Sequence, residues 1–436
     1  MNIEKKFTAS LHTHVRSLFD ADINAKALCE RIKELGGGGC AITDHGVLSS
    51  IEDYRRVFAD NDLKLIPGCE LYVDGGILGR LHLVVLARND HGYHGLCKIV
   101  TAANKESRGD YPVITQERLF EIMKDYRGDV FALSACMQGV ISAIFLLNRT
   151  VEKKIAKLRE KQNGYISPES DKYVGAKTMV EELTAKVATI TEKRDIAKVW
   201  ADKKYTNQEK AIEKLDGEER QKAEAELAKN KEISQKAVTA LAEKKEQLKV
   251  AKKEVSEATK ALKDMEAQIE KWNNIQSEID KISKELRSDE EITALAEDTA
   301  KAYIEAFGKG RFLAEVQYHG IEEEKICYPG VVRVAKKIGI PLVATNDVHI
   351  LNKTPEERLK RQILRSLRFG TAFEEENPGD EELYLKDNFE LETALTQIIS
   401  QEDAVKAISN IDVVFNACDV KFETGKHYPK FRERKE

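Results

Sequence analysis

The segment Leu11-His12-Thr13-His14 closes a short apolar run, 7–11, and Asp20 lies six residues beyond His14. Side chains alternate along an extended segment, so residues two apart share a side, and the His12 and His14 imidazoles can hold one ion together. By itself the pair reads equally well as a solvated turn. The rest of the chain decides the matter, because it repeats the arrangement. Apolar runs at 7–11, 40–43, 63–67, 81–87, 130–134, 312–316 and 340–345 read as strands, and six of these seven have a histidine, carboxylate or thiol beside or within them. Stretches of helical spacing lie between them at 25–35, 51–59, 95–105, 116–126 and 330–338. This is the rhythm of parallel strands with crossover helices. The four glycines 36–39 are followed by no Lys-Ser/Thr and no helix, so they read as the end of a helix rather than as a phosphate loop.

A chain of 436 residues is long enough for two or three domains, and 42% hydrophobic content supports a core. Charged residues at 33% and aromatics at 7% point to a globular part diluted by something long, charged and helical. A net charge of -5 gives no overall basic footprint, so any nucleic acid must be met by a local patch. The N-terminus has no signal-peptide core and no apolar run is long enough to span a bilayer, which predicts a cytoplasmic protein with no membrane partner. Seven cysteines without a close pair fit reduced thiols.

Near residue 150 the composition changes. Proline nearly vanishes, Lys, Glu and Ala dominate, and apolar residues fall at three-and-four spacing through Leu241, Leu248, Ala251, Val255, Ala258, Leu262, Met265, Ile269, Trp272, Ile275, Ile279, Ile282 and Leu286. A soluble helix of this length needs a partner for its stripe, and Asp216-Gly217 lies near the middle. The region 151–297 is therefore expected to be an antiparallel coiled-coil hairpin turning there, with its first arm interrupted around Gly164, Pro168 and Gly175. It would be inserted between two parts of one α/β domain, 1–150 and 298–353, and followed by a mostly helical extension, 354–436, with an irregular acidic stretch at 374–382.

In a closed parallel barrel the C-terminal ends of the strands meet at one rim. His12, His14, Asp20, Asp44, His45, Glu70, Cys136, Asp347 and His349 are expected to converge there. His82 stands apart, because it falls early in its run. So many nitrogen, oxygen and sulfur donors exceed the needs of one tetrahedral zinc and suit two or three ions sharing carboxylates. Clustered divalent ions serve phosphoester hydrolysis by activating water, neutralising nonbridging oxygens and stabilising the leaving oxygen. Arg16, Arg80 and Arg88, near the expected rim, are candidate phosphate contacts.

The segments LHTH with Asp20, AITDHG (41–46), PGCE (67–70), LHLVVLA (81–87), LSAC (133–136), EVQYHG (315–320) and ATNDVH (344–349) resemble the PHP (polymerase and histidinol phosphatase) family. The form most resembled is that of bacterial DNA polymerase III alpha subunits. The likeness runs in order through 5–150 and 300–431, ends at HYPKF (427–431), and skips the hairpin. It implies a distorted (βα)7 TIM-like barrel with up to three zinc, manganese or iron ions, held by His12, His14, Asp20, His45, Glu70, His82, Cys136, Asp347 and His349, with Asp22 the alternative to Asp20. His12, His14, Asp347 and His349 would be central to catalysis and His319 a substrate or supporting residue. The implied activity is a metal-dependent 3′→5′ exonuclease on DNA, acting on single strands or 3′ ends. The alternatives are a phosphatase of the histidinol-phosphate type and a metal-stabilised scaffold whose hairpin docks a polymerase, a coiled-coil ATPase or a second copy. The chain stops where the resemblance would place a polymerase palm, so it is not expected to polymerise by itself.

Overall fold

The computed structural model describes residues 7–16, 20–107, 109–370 and 379–422. It divides into two compact units, Met1–Glu152 with Glu285–Glu436, and Lys153–Lys284.

The first unit is built on one curled sheet of eight strands: β1 (Ala9–Ser10), β2 (Gly39–Ile42), β3 (Lys64–Asp74), β4 (Arg80–Ala87), β5 (Val113–Ile114), β6 (Val130–Leu133), β7 (Phe312–Val316) and β8 (Leu342–Ala344). Their order is β1-β2-β3-β4-β6-β7-β8, with β5 beside β3. The two ends of the sheet meet beyond β1 and β8, where His14 N donates to Val348 O at 2.8 Å and Val348 N donates to His12 O at 3.1 Å. Helices α1 (Ala25–Glu34), α2 (Ile51–Asp60), α3 (Asp90–Glu106) and α4 (Gln116–Tyr126) fall where helical spacing predicts them. At the end of α1 the glycine run is a helix stop, with Gly37 N bonded to Ile32 O at 2.8 Å.

One expectation is corrected. The strands are not all parallel, because β4 runs antiparallel to both β3 and β6. Sequence reading ends the third strand at Pro67, yet β3 continues through Pro67-Gly68 to Asp74. Pro67 pairs with Ile42 of β2, and from Gly68 onward the strand pairs with β4. A Cβ at Gly68 would lie 2.7 Å from Leu86 Cδ2 and 2.8 Å from Thr43 Cγ2, so this glycine permits a close approach rather than a turn. The real turn is the short stretch 75–79, with Gly76 at φ 59° and Gly79 at φ 82°. It is too short for a crossover helix and therefore makes a hairpin.

A short helix, α5 (Ser142–Phe145), and a longer one, α6 (Leu147–Gln162), follow β6. The second unit then holds α7 (Asp171–Ala201), α8 (Thr206–Ile212) and α9 (Gly217–Ser283). The 67 residues of α9 give a helix of about 100 Å. It lies antiparallel to the first arm, as Lys186–Glu254 (3.2 Å), Ser234 Oγ to Trp200 O (2.9 Å) and Tyr205 hydroxyl to Asn230 O (2.8 Å) show. The reversal is at Asp216, which precedes the first residue of α9. The first arm is broken at 163–170, around Gly164 and Pro168, and again at 202–205, whereas Gly175 lies inside α7.

The first unit resumes with α10 (Asp289–Phe307), started by a capping box in which Ser288 Oγ accepts from Glu291 N and the Glu291 carboxylate accepts from Ser288 N. Its Ile292, Ala296, Ala300, Tyr303 and Phe307 are buried in the same core as the sheet. The units therefore divide before α10, not at 297. Helices α11 (Glu322–Ile338), α12 (Pro355–Phe369), α13 (Asn388–Leu395) and α14 (Gln401–Ala417) complete the unit. The acidic stretch is described only from 379, and the HYPKF end lies outside the described residues. Among the described residues no helix is long and apolar enough to cross a membrane.

Candidate metal centre

All nine residues expected as ligands come together at one rim of the sheet. His12 and His14 leave β1, His45 leaves β2 and bridges to Glu70 in β3, and Asp347 and His349 follow β8. The reversal of β4 accounts for His82. A strand running the opposite way presents its N-terminal end at the rim where its neighbours end, so a ligand early in β4 stands level with ligands late in parallel strands. Cys136 follows β6 through a turn with Ala135 at φ 63°, and its Sγ lies 3.7 Å from His82 Nδ1. Asp347 itself has φ 48°, a left-handed conformation that asparagine and aspartate tolerate best and that collects at functional sites.

Three overlapping sets of donor atoms, each within 4.8 Å of one another, make up the centre: His12, His14, Glu70 and Asp347; His14, His45 and His349; and His45, Glu70 and His82. In the first set His12 Nε2 and His14 Nε2 face each other at 3.1 Å. Glu70 Oε2 lies 3.6 and 3.2 Å from them, and Asp347 Oδ1 lies 3.3 and 3.2 Å from them. Ligand atoms at zinc-like bond lengths around a tetrahedral ion sit about 3.3 Å apart. His14 Nδ1, Glu70 Oε2 and Asp347 Oδ1 are buried without a well-aligned hydrogen bond, and the two carboxylate oxygens face only imidazole nitrogens, Glu70 Oε2 lying 2.8 Å from His45 Nδ1. Buried donors and acceptors are rarely left so, and a cation satisfies the two carboxylate oxygens at once. The donor set therefore fits divalent metal ions.

Asp20, and not Asp22, is the carboxylate at the site. Its Oδ2 lies 3.0 Å from His45 Nε2 and 3.5 Å from His349 Nε2, and Arg361 and Arg368 of α12 grip it at 3.3 and 2.5 Å. Asp22 points outward to Lys360 at 2.6 Å. Without a cation the charges balance among the side chains themselves. Burial disfavours the His12 imidazolium, yet Asp347, Glu315 and Glu70 outweigh it and raise its pKa well above the ordinary value. His45 is likewise raised to about 9 by Glu70 and Asp20 against burial. Burial, Arg361 and His14 lower His349 to about 4. Burial would raise Glu70, but His82, His45 and His12 bring it well below the usual carboxylate range, and His349 and His45 do the same for Asp20. Burial, with Glu70 and Asp347 nearby, holds the Cys136 thiol well above its ordinary value.

The other candidates are placed differently. Arg16 is exposed and paired to Asp53 at 3.0 Å. Arg88 is corrected outright. It follows the C-terminal end of the reversed β4, beside Asp129 at the start of β6, and so stands at the end of the sheet opposite the metal rim. Arg80, at the near end of β4, lies with Cζ 3.5 Å from the centre of the Tyr111 ring. His319 is buried between Glu324 Oε1 (2.7 Å) and the Asn346 carbonyl (3.0 Å), and so braces the residue before Asp347 without reaching the donors. Asp44 accepts from Val15 N, Arg16 N and Ser50 Oγ, which makes it a clasp for the loop after β1.

One residue of the site is not anticipated. Glu315, fully buried in β7, accepts from His12 Nδ1 at 2.7 Å, Gln317 Nε2 at 2.8 Å, Ala135 N at 2.8 Å and the Thr345 hydroxyl. It turns His12 Nε2 towards the centre and ties down the turn that carries Cys136. The signal for it is an acid and an amide two residues apart, on one side of an otherwise apolar strand.

Residues 10–183 match the family model described as PHP domain. DNA polymerase III subunit alpha of Helicobacter pylori is 31% identical over 147 residues, which are 32% of this chain and 12% of that protein. The same subunit of Treponema pallidum is 30% identical over 155 residues, 33% of this chain and 13% of that protein. The match thus spans about an eighth of the length of these relatives. Among solved structures, an amidohydrolase from Chromobacterium violaceum aligns with 21% identity and a TM-score of 0.20 over 22% of this chain and 34% of that one, too little to carry an argument.

Proposed function

We propose that the PHP domain of this chain is a metal-dependent phosphoesterase and that its substrate is the 3′ end of DNA, from which it releases nucleotides. The observation that carries the reading is the donor set, in which seven side chains from separate strands bring their nitrogen and oxygen atoms together in three overlapping groups, with Asp20 and Cys136 beside them. His12, His14, Glu70 and Asp347 would hold one ion. His45, His82, Cys136, Asp20 and His349 would hold one or two more, with Glu70 between, since its Oε1 faces His82 at 2.8 Å while Oε2 faces His14. Bound divalent ions supply a polarised water and neutralise charge on the phosphoryl oxygens. The chain's own part is to fix those ions and to leave the site open beside Asp347, whose side chain is 16% exposed while His12, His14 and Glu70 are closed off. Arg361 and Arg368 bring positive charge to the Asp20 side, where an anionic substrate would otherwise meet a carboxylate. DNA as substrate rests on the similarity to polymerase alpha subunits, and zinc, manganese and iron all suit this mixed donor set.

The test is to assay bound metal and, in Mn²⁺, the turnover of 3′-labelled single-stranded DNA and of a simple phosphate monoester, alongside His12→Ala and Asp347→Ala. Release of nucleotides that both substitutions abolish is the expected result. Turnover of the monoester alone would make the protein a small-molecule phosphatase, and full metal occupancy without turnover would make it a scaffold.

A further inference from the structure

An aromatic wall leads away from the metal centre on the β3–β4 side. The Tyr72 ring lies almost parallel to the His45 imidazole, 11° between planes and 5.4 Å between centres. Tyr111 meets Tyr72 edge-on at 5.6 Å and 89°. Arg80 covers this pair, its Cζ 3.5 Å from the Tyr111 centre and 5.4 Å from that of Tyr72. Arg368 ties the wall to the site, donating to the Tyr72 hydroxyl at 3.3 Å while it grips Asp20. Arg80 is exposed and, among the described residues, makes no ion pair, and it lines the groove together with Tyr111. Beyond it lies a groove of about 670 Å³, lined by Asp74, Glu106, Ser107, Asp110 and Thr115 as well as Arg80 and Tyr111.

We infer that Arg80, stacked on Tyr111 and Tyr72, is the platform for a nucleobase of the substrate, with the groove receiving the nucleoside and the metal centre its phosphate. This rests on the phosphoesterase reading for the position of the phosphate but not for the recognition of the base. The charges in the groove choose between the two ends of a nucleotide. Among the described residues Asp74, Glu106 and Asp110 line it with Arg80, and Glu106 is paired to Arg118 at 3.1 Å; the carboxylates of Asp74 and Asp110 disfavour a phosphate and suit the amino groups and hydroxyls of a nucleoside. A guanidinium plane held against a ring is a surface on which bases of any sequence stack. The volume is also within the range of small-molecule sites.

The experiment is calorimetric titration of the metal-loaded protein with dAMP and, separately, with 2-deoxyribose 5-phosphate, which has the same phosphate and sugar but no base. Stacking predicts that dAMP binds about 10-fold more tightly. Arg80→Ala and Tyr111→Ala should each remove most of that ratio. Arg80→Lys discriminates further, because it keeps the charge and loses the plane, so it too should bring the ratio near one. Equal binding of the two ligands by the unsubstituted protein, binding of neither, or a ratio fully kept in Arg80→Lys would overturn the inference and leave a surface cation–π pair only. Retained base preference without turnover of any ester would instead sink the phosphoesterase reading alone. Turnover of DNA with equal binding would sink the base platform alone.

Discussion

Glu315 is the residue on which the site leans without its being a ligand. A carboxylate on the far nitrogen of a metal-binding histidine fixes its tautomer and raises its basicity, and loss of such a partner typically weakens metal binding 10- to 100-fold. Glu315→Gln keeps the shape and, through its one oxygen, the contacts to Gln317 and Thr345, but loses the charge and the acceptor for Ala135 N, so metal affinity measured by competition with a chelator should fall about 10- to 100-fold while the far-UV spectrum stays unchanged. Unchanged affinity would remove Glu315 from the centre's support. A second expectation concerns protons. The folded pKa of His45 is raised to about 9 from an ordinary 6.5, so in metal-free protein its contribution to stability is complete below pH 6.5 and is lost as pH rises through 9. Metal needs the neutral imidazole, so binding expels this proton and strengthens with pH. Thermal melts of the metal-free protein should therefore weaken across this window, while those of the loaded protein should not. Calorimetry in two buffers of different ionisation enthalpy should show proton release, and zero release would mean that His45 is already neutral in the metal-free protein.

Among the elements, β4 explains most of what linear reading misplaced. Its reversal moves His82 into the centre and Arg88 to the far end of the sheet, some 20 Å along the strand. It depends on β3 running through Pro67-Gly68, and Gly68→Ala tests this directly. The added methyl would press on Leu86, Thr43 and the Val85 carbonyl at 2.7, 2.8 and 3.1 Å, so urea melts should show a loss of about 1–3 kcal/mol. A neutral substitution would mean that the close approach is relieved at little cost. At α10 the start of the returning chain is set by a cap rather than by the hydrophobic stripe. Ser288→Ala removes one half of the reciprocal pair with Glu291 and should cost about 1 kcal/mol in the same measurement.

At the scale of the molecule, the barrel unit is made of two stretches far apart in the chain whose hydrogen bonds close without the helical hairpin. Asn148 and Arg287, either side of the intervening stretch, are joined by Asn148 Nδ2 to Arg287 O at 2.8 Å and Arg287 N to Asn148 Oδ1 at 3.0 Å. Excision of 153–284 with a short Gly/Ser joint should give a soluble protein that melts cooperatively and retains the metal content of the full chain. An aggregated product, or one devoid of metal, would show that the barrel needs its insertion. Much of this arrangement is legible in the chain. Apolar run length marks the strands, charge and three-and-four spacing mark the hairpin, and Asp216-Gly217 marks its reversal, because these follow from local periodicity and from residues that cannot continue a helix. The recurrence of His, Asp, Glu and Cys beside the apolar runs likewise marked the residues that meet at one rim, from His12 to His349, although Asp44, marked in the same way, clasps the loop after β1 instead. What the chain order could not convey is direction. Whether a strand returns antiparallel is set by a turn a few residues long, and whether Pro67-Gly68 breaks a strand or lets two strands approach depends on Leu86 and Thr43, which come from elsewhere. Glu315 and the arginines of α12 belong to the same class. Their roles arise from neighbours roughly 180 to 350 residues away in sequence, and only the closed sheet brings those neighbours within hydrogen-bonding reach.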